Sequence, residues 1–224
     1  MDYVKFKAIE EGLADFFHCC HSKNYPAKST LIRPGDAAET LFYIREGSVS
    51  ITMENEDGEE LIITYLNQGD FIGEVGMFYP DVGERKVTVR ARTDCRTEEI
   101  TYQQIKVLTN NQLKQCYPTL LQFLAEQMAK RLLSVTRKVS DLAFLDVAGR
   151  VEAVLHELAA QPDAMTHDEG IEIRATRQEI SRMVGCSREM AGRVLRTLVD
   201  KGQMYARGKT MIIYDAEHRR PSTL

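Results

Sequence analysis

The chain reads as an α+β protein in three successive parts: a strand-rich N-terminal half, one long helix, and a helix–turn–helix followed by a hairpin. Three observations predict this. Between Ser29 and Thr101, short apolar or alternating runs are separated by turns containing Gly or Pro. From Pro118 to Phe144, apolar residues recur at helical spacing with no internal Gly or Pro. From Thr176 to Tyr214, two amphipathic segments flank a Gly turn, and a second Gly turn divides an apolar stretch. A length of 224 residues gives room for two small domains. A hydrophobic content of 43% supports well-formed cores.

In the first part, Leu41–Ile44, Val49–Met53, Leu61–Leu66 and Val87–Ala91 are the strand candidates. Pro34-Gly35, Glu46-Gly47, Asp57-Gly58 and Gln68-Gly69 supply the turns. Many short strands with regular turns predict a barrel, roll or sandwich. The acidic run Glu54–Glu60 sits on one turn and reads as a solvated hairpin tip. Chemistry concentrates in Gly69–Arg85, GDFIGEVGMFYPDVGER. Gly73 and Gly76 permit close backbone approach, and free amides there suit an anion. Glu74 is an acceptor for sugar hydroxyls, and Arg85 carries a fork that matches phosphate oxygens. A carboxylate for ribose with an arginine for phosphate reads as a nucleotide pocket; an ordinary surface ion pair is the plainer alternative.

In the second part, Leu121, Leu124, Met128, Leu132, Val135, Val139 and Leu142 form a heptad seam over about three heptads. At 1.5 Å per residue the helix spans roughly 40 Å. The seam predicts a partner helix; the alternative is a helix lying on its own domain's core. A two-fold dimer suits the third part, because it presents two reading helices to a palindromic site.

In the third part, Gln178–Met183 is one short helix, Val184-Gly185-Cys186 a turn, and Ser187 the N-cap of a second helix. Gly185 suits a left-handed turn position. Met190, Val194, Leu195 and Leu198 are expected on the apolar face. Arg188, Glu189 and Arg193 lie on the other face, where a recognition helix meets base edges. Arginine matches the two acceptors of guanine, and glutamate matches the cytosine amino group. Between Arg174 and Lys209 there are nine Lys/Arg against three Asp/Glu, a net of +6 in a chain of formal net charge −4. Arg174, Arg177, Arg182, Arg196, Lys201, Arg207 and Lys209 are candidates for phosphate contacts. Gln203–Tyr214 reads as a hairpin turning at Arg207-Gly208-Lys209, a wing beside the helix pair.

Other function classes lack support. The five cysteines (Cys19, Cys20, Cys95, Cys116, Cys186) are scattered with no CxxC pair, so no metal site is expected. Reduced thiols are the expectation, with Cys19-Cys20 as a redox sensor the alternative. No HExxH or GxSxG element occurs, and no catalysis is expected. Met1–Lys7 has charges but no apolar core, which predicts no secretory signal. No apolar run approaches about 20 residues, so no membrane span and a cytoplasmic location are expected. Arg219–Leu224 is expected to fray.

Several blocks, in order, are similar to one family: YPAKSTLIRPGDAAETLFYIREGSV, LNQGDFIGEVGMF, KVSDLAFLDVAGR, QPDAMTH and TRQEISRMVGCSREMAGRVL. From about Phe17 to Tyr214 the chain resembles the bacterial cyclic-AMP receptor proteins of the Crp/Fnr superfamily. The resemblance implies a cyclic-nucleotide-binding β-roll over 1–117, a dimerisation helix and hinge over 118–145, and a winged helix-turn-helix over 146–224. It implies cyclic AMP as effector, and double-stranded DNA, RNA polymerase and a second copy of the chain as partners.

Matched residue by residue, Gly73 and Glu74 correspond to the family's phosphate- and ribose-binding pair. Arg85 corresponds to its phosphate arginine, with one residue inserted in the preceding loop around Tyr79–Gly83. Arg131 matches an arginine on the dimer helix, and Thr136 a hydroxyl residue that reaches the partner's adenine. Arg188, Glu189 and Arg193 match the readers of TGTGA-type half-sites; Arg177, Gln178, Ser187 and Lys209 fall among the DNA contacts. Thr166, His167 and Gly170 fall in an exposed loop that contacts the polymerase alpha subunit. His21 and Lys23 fall in a second activating patch, where Gln104 replaces the usual lysine.

Two departures touch the ligand. Lys86-Val87 stand where the family has Ser or Thr followed by Ala, so a phosphate hydroxyl is missing, and Lys86 substitutes if it turns inward. Val135 replaces the adenine-contacting threonine and favours the two-stranded helix without ligand. The alternative is therefore a constitutive regulator, or one responding to another nucleotide. On the DNA side, Ala148 stands in place of a threonine.

Overall fold

The computed structural model describes residues 10–215. Met1–Lys7 and Arg219–Leu224 lie outside them. The chain divides into two compact units, and the division falls within the long helix, at Ser134/Val135; the segment Glu60–Ile62 groups with the second unit.

In the first unit a short helix, Ala14–His18, precedes eight strands: β1 His21–Tyr25, β2 Thr30–Ile32, β3 Thr40–Glu46, β4 Ser48–Glu54, β5 Glu60–Asn67, β6 Phe71–Ile72, β7 Thr88–Ala91 and β8 Cys95–Thr101. They form two four-stranded sheets, ordered β1-β8-β3-β6 and β2-β7-β4-β5. The apolar run in β3 explains the layering. Successive strand side chains point to opposite faces. Leu41 and Tyr43 join a core with Phe16, Phe71, Ile100, Leu120 and Leu124. Phe42 and Ile44 join another with Val49, Ile72, Val89 and Cys95. A strand buried on both sides reads as a continuous hydrophobic run, as Leu41–Ile44 does.

All four strands expected from the sequence are present as β3, β4, β5 and β7. Strand β1, HSKNY, has four exposed residues of five, so it carries no apolar signal. It pairs along its whole length with β8, His21 opposite Glu99 through Tyr25 opposite Cys95. The β4–β5 turn is held by Asn55, whose Oδ1 accepts from the Glu59 amide at 2.9 Å.

The long helix spans Tyr117–Phe144. Its first turns correct the seam expectation. Leu124 is fully buried in its own unit's core, as is Leu120. Exposed apolar residues begin at Met128 and continue through Leu132 (67% exposed), Val135, Val139 and Leu142. The stripe left open is therefore the C-terminal two-thirds of the helix.

After the end of the long helix, the second unit continues with a helix over Val147–Ala159, capped by Asp146, whose Oδ1 accepts from the Gly149 amide at 2.8 Å. Strands β9 (Met165–His167) and β10 (Gly170–Arg174) follow, then helices Arg177–Val184 and Arg188–Asp200, then β11 (Met204–Arg207) and β12 (Thr210–Tyr214). The sheet order is β11-β12-β10-β9. Thr166, His167 and Gly170 are thus not loop residues. They belong to a hairpin in which Gly170 faces His167 and Ile171 faces Thr166.

Candidate functional site

The first candidate site is built around β6. It pairs antiparallel with β3, Ile72 opposite Phe42 and Phe71 opposite Tyr43. The chain then turns at Gly73, with φ 101°, into the short helix Glu74–Phe78. A Cβ at Gly73 would lie 2.5 Å from the Thr40 carbonyl oxygen and 3.0 Å from Arg85 Nη1. Sterics and backbone conformation therefore both require glycine there.

Glu74 is 3% exposed and forms an ion pair with Arg131 of the long helix. Arg131 also donates from Nη2 to the Phe71 carbonyl at 2.5 Å. Its Nε is buried without a partner. Arg85 is buried too, and donates from Nη2 to the Thr40 carbonyl at 2.5 Å. The Tyr102 hydroxyl donates to the Gly73 carbonyl at 2.5 Å. Burial pushes the Tyr102 hydroxyl pKa up, against the pull of the neighbouring Arg85. Gly73, Glu74, Arg85 and Arg131 are thus brought together by β6, β3 and the long helix.

Three further residues named for the same site lie apart from this cluster. Lys86 does not turn inward: its side chain is 70% exposed, with Nζ 3.9 Å from Glu84 Oε2. Val135 is 47% exposed and Thr136 is exposed, about one turn beyond Arg131 on the long helix. Gln127 was missed by sequence reasoning. Its Oε1 accepts from the Phe71 amide at 2.7 Å, and its Nε2 donates to the Phe71 carbonyl at 2.8 Å.

The second candidate site is the helix pair. Thr176 and Glu179 form a capping box: Thr176 Oγ1 accepts from the Glu179 amide at 3.1 Å, and Glu179 accepts from the Thr176 amide at 2.7 Å. Gly185 ends the first helix in the left-handed region, with φ 71°. Ser187 caps the second, its Oγ accepting from the Met190 amide at 3.1 Å. Ala191, Leu195 and Leu198 form the buried stripe, while Met190 is 38% exposed. The expectation for Met190 is therefore corrected. It sits in the first turn, beside Arg188 and Glu189, and its face is open.

Arg188, Glu189 and Arg193 are exposed, as are Arg177, Gln178 and Ser187. A Cβ at Gly192 would lie 3.5 Å from Arg177 Cδ, so the Arg177 side chain lies over the second helix. Lys209 is exposed in the β11–β12 turn, its carbonyl accepting from the Ala175 amide at 2.9 Å. Arg174 is exposed and lies 3.5 Å from Glu172.

His21 and Lys23 are exposed on β1, with Lys23 Nζ 4.9 Å above the Tyr25 ring. Thr166 is exposed on β9, and His167 and Gly170 are half-buried. All five cysteines are free. Burial pushes the Cys20, Cys95, Cys116 and Cys186 thiols up, which disfavours the reactive thiolate.

Residues 22–112 match the model of the cyclic nucleotide-binding domain, and residues 149–218 match that of the Crp-like helix-turn-helix domain. The cAMP-activated global transcriptional regulator Vfr of Pseudomonas aeruginosa is 50% identical over 212 residues, 94% of this chain and 95% of its own. The chain belongs to the CRP/FNR family of transcriptional regulators. Among other members, the cAMP-activated regulator CRP of Salmonella typhimurium is 50% identical over 199 residues, 89% of this chain and 92% of its own. The solved structure of the c-di-GMP responsive global regulator CLP of Xanthomonas campestris is 44% identical with a TM-score of 0.86, covering 92% of this chain and 99% of its own. As a CRP/FNR member, the chain carries a cyclic nucleotide-binding domain and a DNA-binding helix-turn-helix. Its described helices include none long and apolar enough to cross a membrane.

Proposed function

We propose that this CRP/FNR member is a homodimeric regulator that binds TGTGA-type palindromes in response to cyclic AMP and contacts RNA polymerase. The observation that carries the effector reading is the buried Glu74–Arg131 pair beside Gly73 and Arg85. A buried carboxylate suits ribose hydroxyls, and the Arg85 fork suits the cyclic phosphate. Arg131 ties that carboxylate to the long helix, so ligand and helix share one charge cluster. Relatives with 50% identity are named cAMP-activated, which supports the same effector here. Residues 1–117 form the effector domain in this reading, 118–145 the dimerisation helix and hinge, and 146–224 the DNA-binding domain.

The exposed stripe from Met128 to Leu142 supports a partner helix, because isolated monomers rarely leave such a row of large apolar side chains open. Arg188, Glu189 and Arg193 read bases, and Arg177, Gln178, Ser187 and Lys209 hold the backbone. The Ser187 oxygen accepts within its cap, which leaves its hydroxyl proton for a phosphate. Thr166, His167 and Gly170, with His21 and Lys23 on the other unit, are the polymerase-facing residues. In this reading Val135 and Thr136, about one turn beyond Arg131 on the long helix, meet the base of the nucleotide.

A second reading, response to a different nucleotide, is favoured by the solvent-facing Lys86 and by Val135. The relative named c-di-GMP responsive, at 44% identity, makes that nucleotide the one to test. The deciding measurement is anisotropy of a labelled TGTGA…TCACA duplex at fixed salt, with cyclic AMP, with c-di-GMP and with neither, against random DNA. Tightening by cyclic AMP alone supports the first reading. Tightening by c-di-GMP alone replaces it, and indifference to both points to constitutive binding.

A further inference from the structure

Strand β6 is two residues long and lies at the edge of its sheet. One side pairs with β3. On its other side, the Phe71 N–H and C=O are both taken by the carboxamide of Gln127. An amide side chain presents a donor and an acceptor much as a peptide unit does. Gln127 therefore acts as a one-residue surrogate strand, closing an edge that would otherwise be open. One turn later, Arg131 donates to the same Phe71 carbonyl and pairs with Glu74. Two consecutive turns of the long helix thus grip the backbone two residues before Gly73.

The Arg131 contact includes Glu74 itself, so it is part of the cradle. The Gln127 contact touches only backbone, sharing one acceptor, the Phe71 carbonyl, with Arg131. It fixes the position of β6 along the helix axis, because both bonds, at 2.7 and 2.8 Å, are short and well formed. Any shift of Phe71 on binding a ligand must move the helix with it or break these two bonds. The same helix continues without interruption to Phe144.

We infer that Gln127 is a positioning residue through which occupation of the Gly73–Glu74 cradle is passed to the long helix; this rests on the effector reading above. Gln127→Met keeps length and apolar stem but removes both bonds. Three quantities are measured on the full chain: cyclic-AMP affinity by calorimetry, DNA affinity with and without saturating cyclic AMP, and thermal midpoint. Because Gln127 shares the Phe71 carbonyl with Arg131, cyclic-AMP affinity is measured separately and the gain in DNA affinity is read at saturating cyclic AMP. The gain in DNA affinity caused by cyclic AMP, commonly about 5- to 150-fold for couplings of this kind, should fall most of the way to one.

A lowered midpoint with an unchanged gain would make Gln127 merely structural and overturn the inference. A parent protein whose DNA affinity ignores cyclic AMP would overturn the effector reading and this inference together. Should Gln127→Met not fold, hydrogen exchange at the Phe71 amide in the parent decides. Slower exchange with cyclic AMP bound is expected, and exchange indifferent to cyclic AMP refutes the coupling.

Discussion

Replacing Arg131 with leucine isolates the buried charge of the cradle. The Glu74 side chain is 4% exposed and that of Arg131 is 24% exposed. Removing the arginine leaves a carboxylate with almost no water, and breaking such a pair costs about 3–5 kcal/mol. Arg131 is itself partly solvated, so the lower end, about 3 kcal/mol, applies. For a unit of this size that is a fall in thermal midpoint of roughly 10 °C. Adding Glu74→Gln neutralises the stranded carboxylate, and the double variant should regain about 2 kcal/mol of the loss. Urea titration followed by tyrosine fluorescence would read both, since the chain has no Trp. A loss below about 1 kcal/mol is what an exposed surface pair gives. That result, or a double variant no better than the single one, would refute the pair as the organising charge of the site.

Three further outcomes are expected. On the proposed reading, in which Val135 meets the base, Val135→Thr adds a hydroxyl there and should tighten cyclic-AMP binding about two- to twelvefold; unchanged calorimetric affinity would show that this position does not meet the base. Arg188→Ala should cost about 1–3 kcal/mol against the TGTGA site and relax choice at one position, whereas Arg177→Ala should weaken all sequences alike and flatten the salt dependence. Equal losses on cognate and random DNA for Arg188→Ala would remove it from the base readers. Burial pushes the Asp70 carboxyl above its ordinary value, although the Asn67 amide at 2.8 Å opposes this. The folded state then holds that proton more tightly than the unfolded state, so the contribution to stability is present at low pH and lost as pH rises through the raised value. Asp70→Asn should flatten this part of the stability–pH curve, and a variant that keeps the parent slope would assign it to another group.

The DNA-reading half was legible because its signals are local. Gly185 and Ser187 form the turn and cap expected of them, and Thr176 with Glu179 adds a capping box that acts within four residues but was not named from the sequence. The roll was legible only where strands are apolar. β1 and β8 are rich in polar residues and find their partners across 70 positions at Tyr25–Cys95 to 78 at His21–Glu99, which no periodicity reports. Gln127 lies beside the heptad seam and looks like helix surface; its partner, Phe71, is 56 positions away. Leu124 misled in the opposite sense, because a heptad pattern cannot distinguish a partner helix from the chain's own core. The Glu74–Arg131 pairing spans 57 positions, which no spacing reports; family resemblance named both residues but not their pairing.

The Gly73 turn also limits how this pocket can evolve. Its floor admits no side chain, since the first carbon of one would collide with the Thr40 carbonyl. The rim is different. Lys86 is largely solvated, and substitutions at such positions usually alter stability by no more than about 0.5 kcal/mol. On the proposed effector reading, new preferences are therefore accessible by drift at Lys86 while the floor stays fixed, and a library aimed at changing the inducer should randomise position 86 and leave 73 alone.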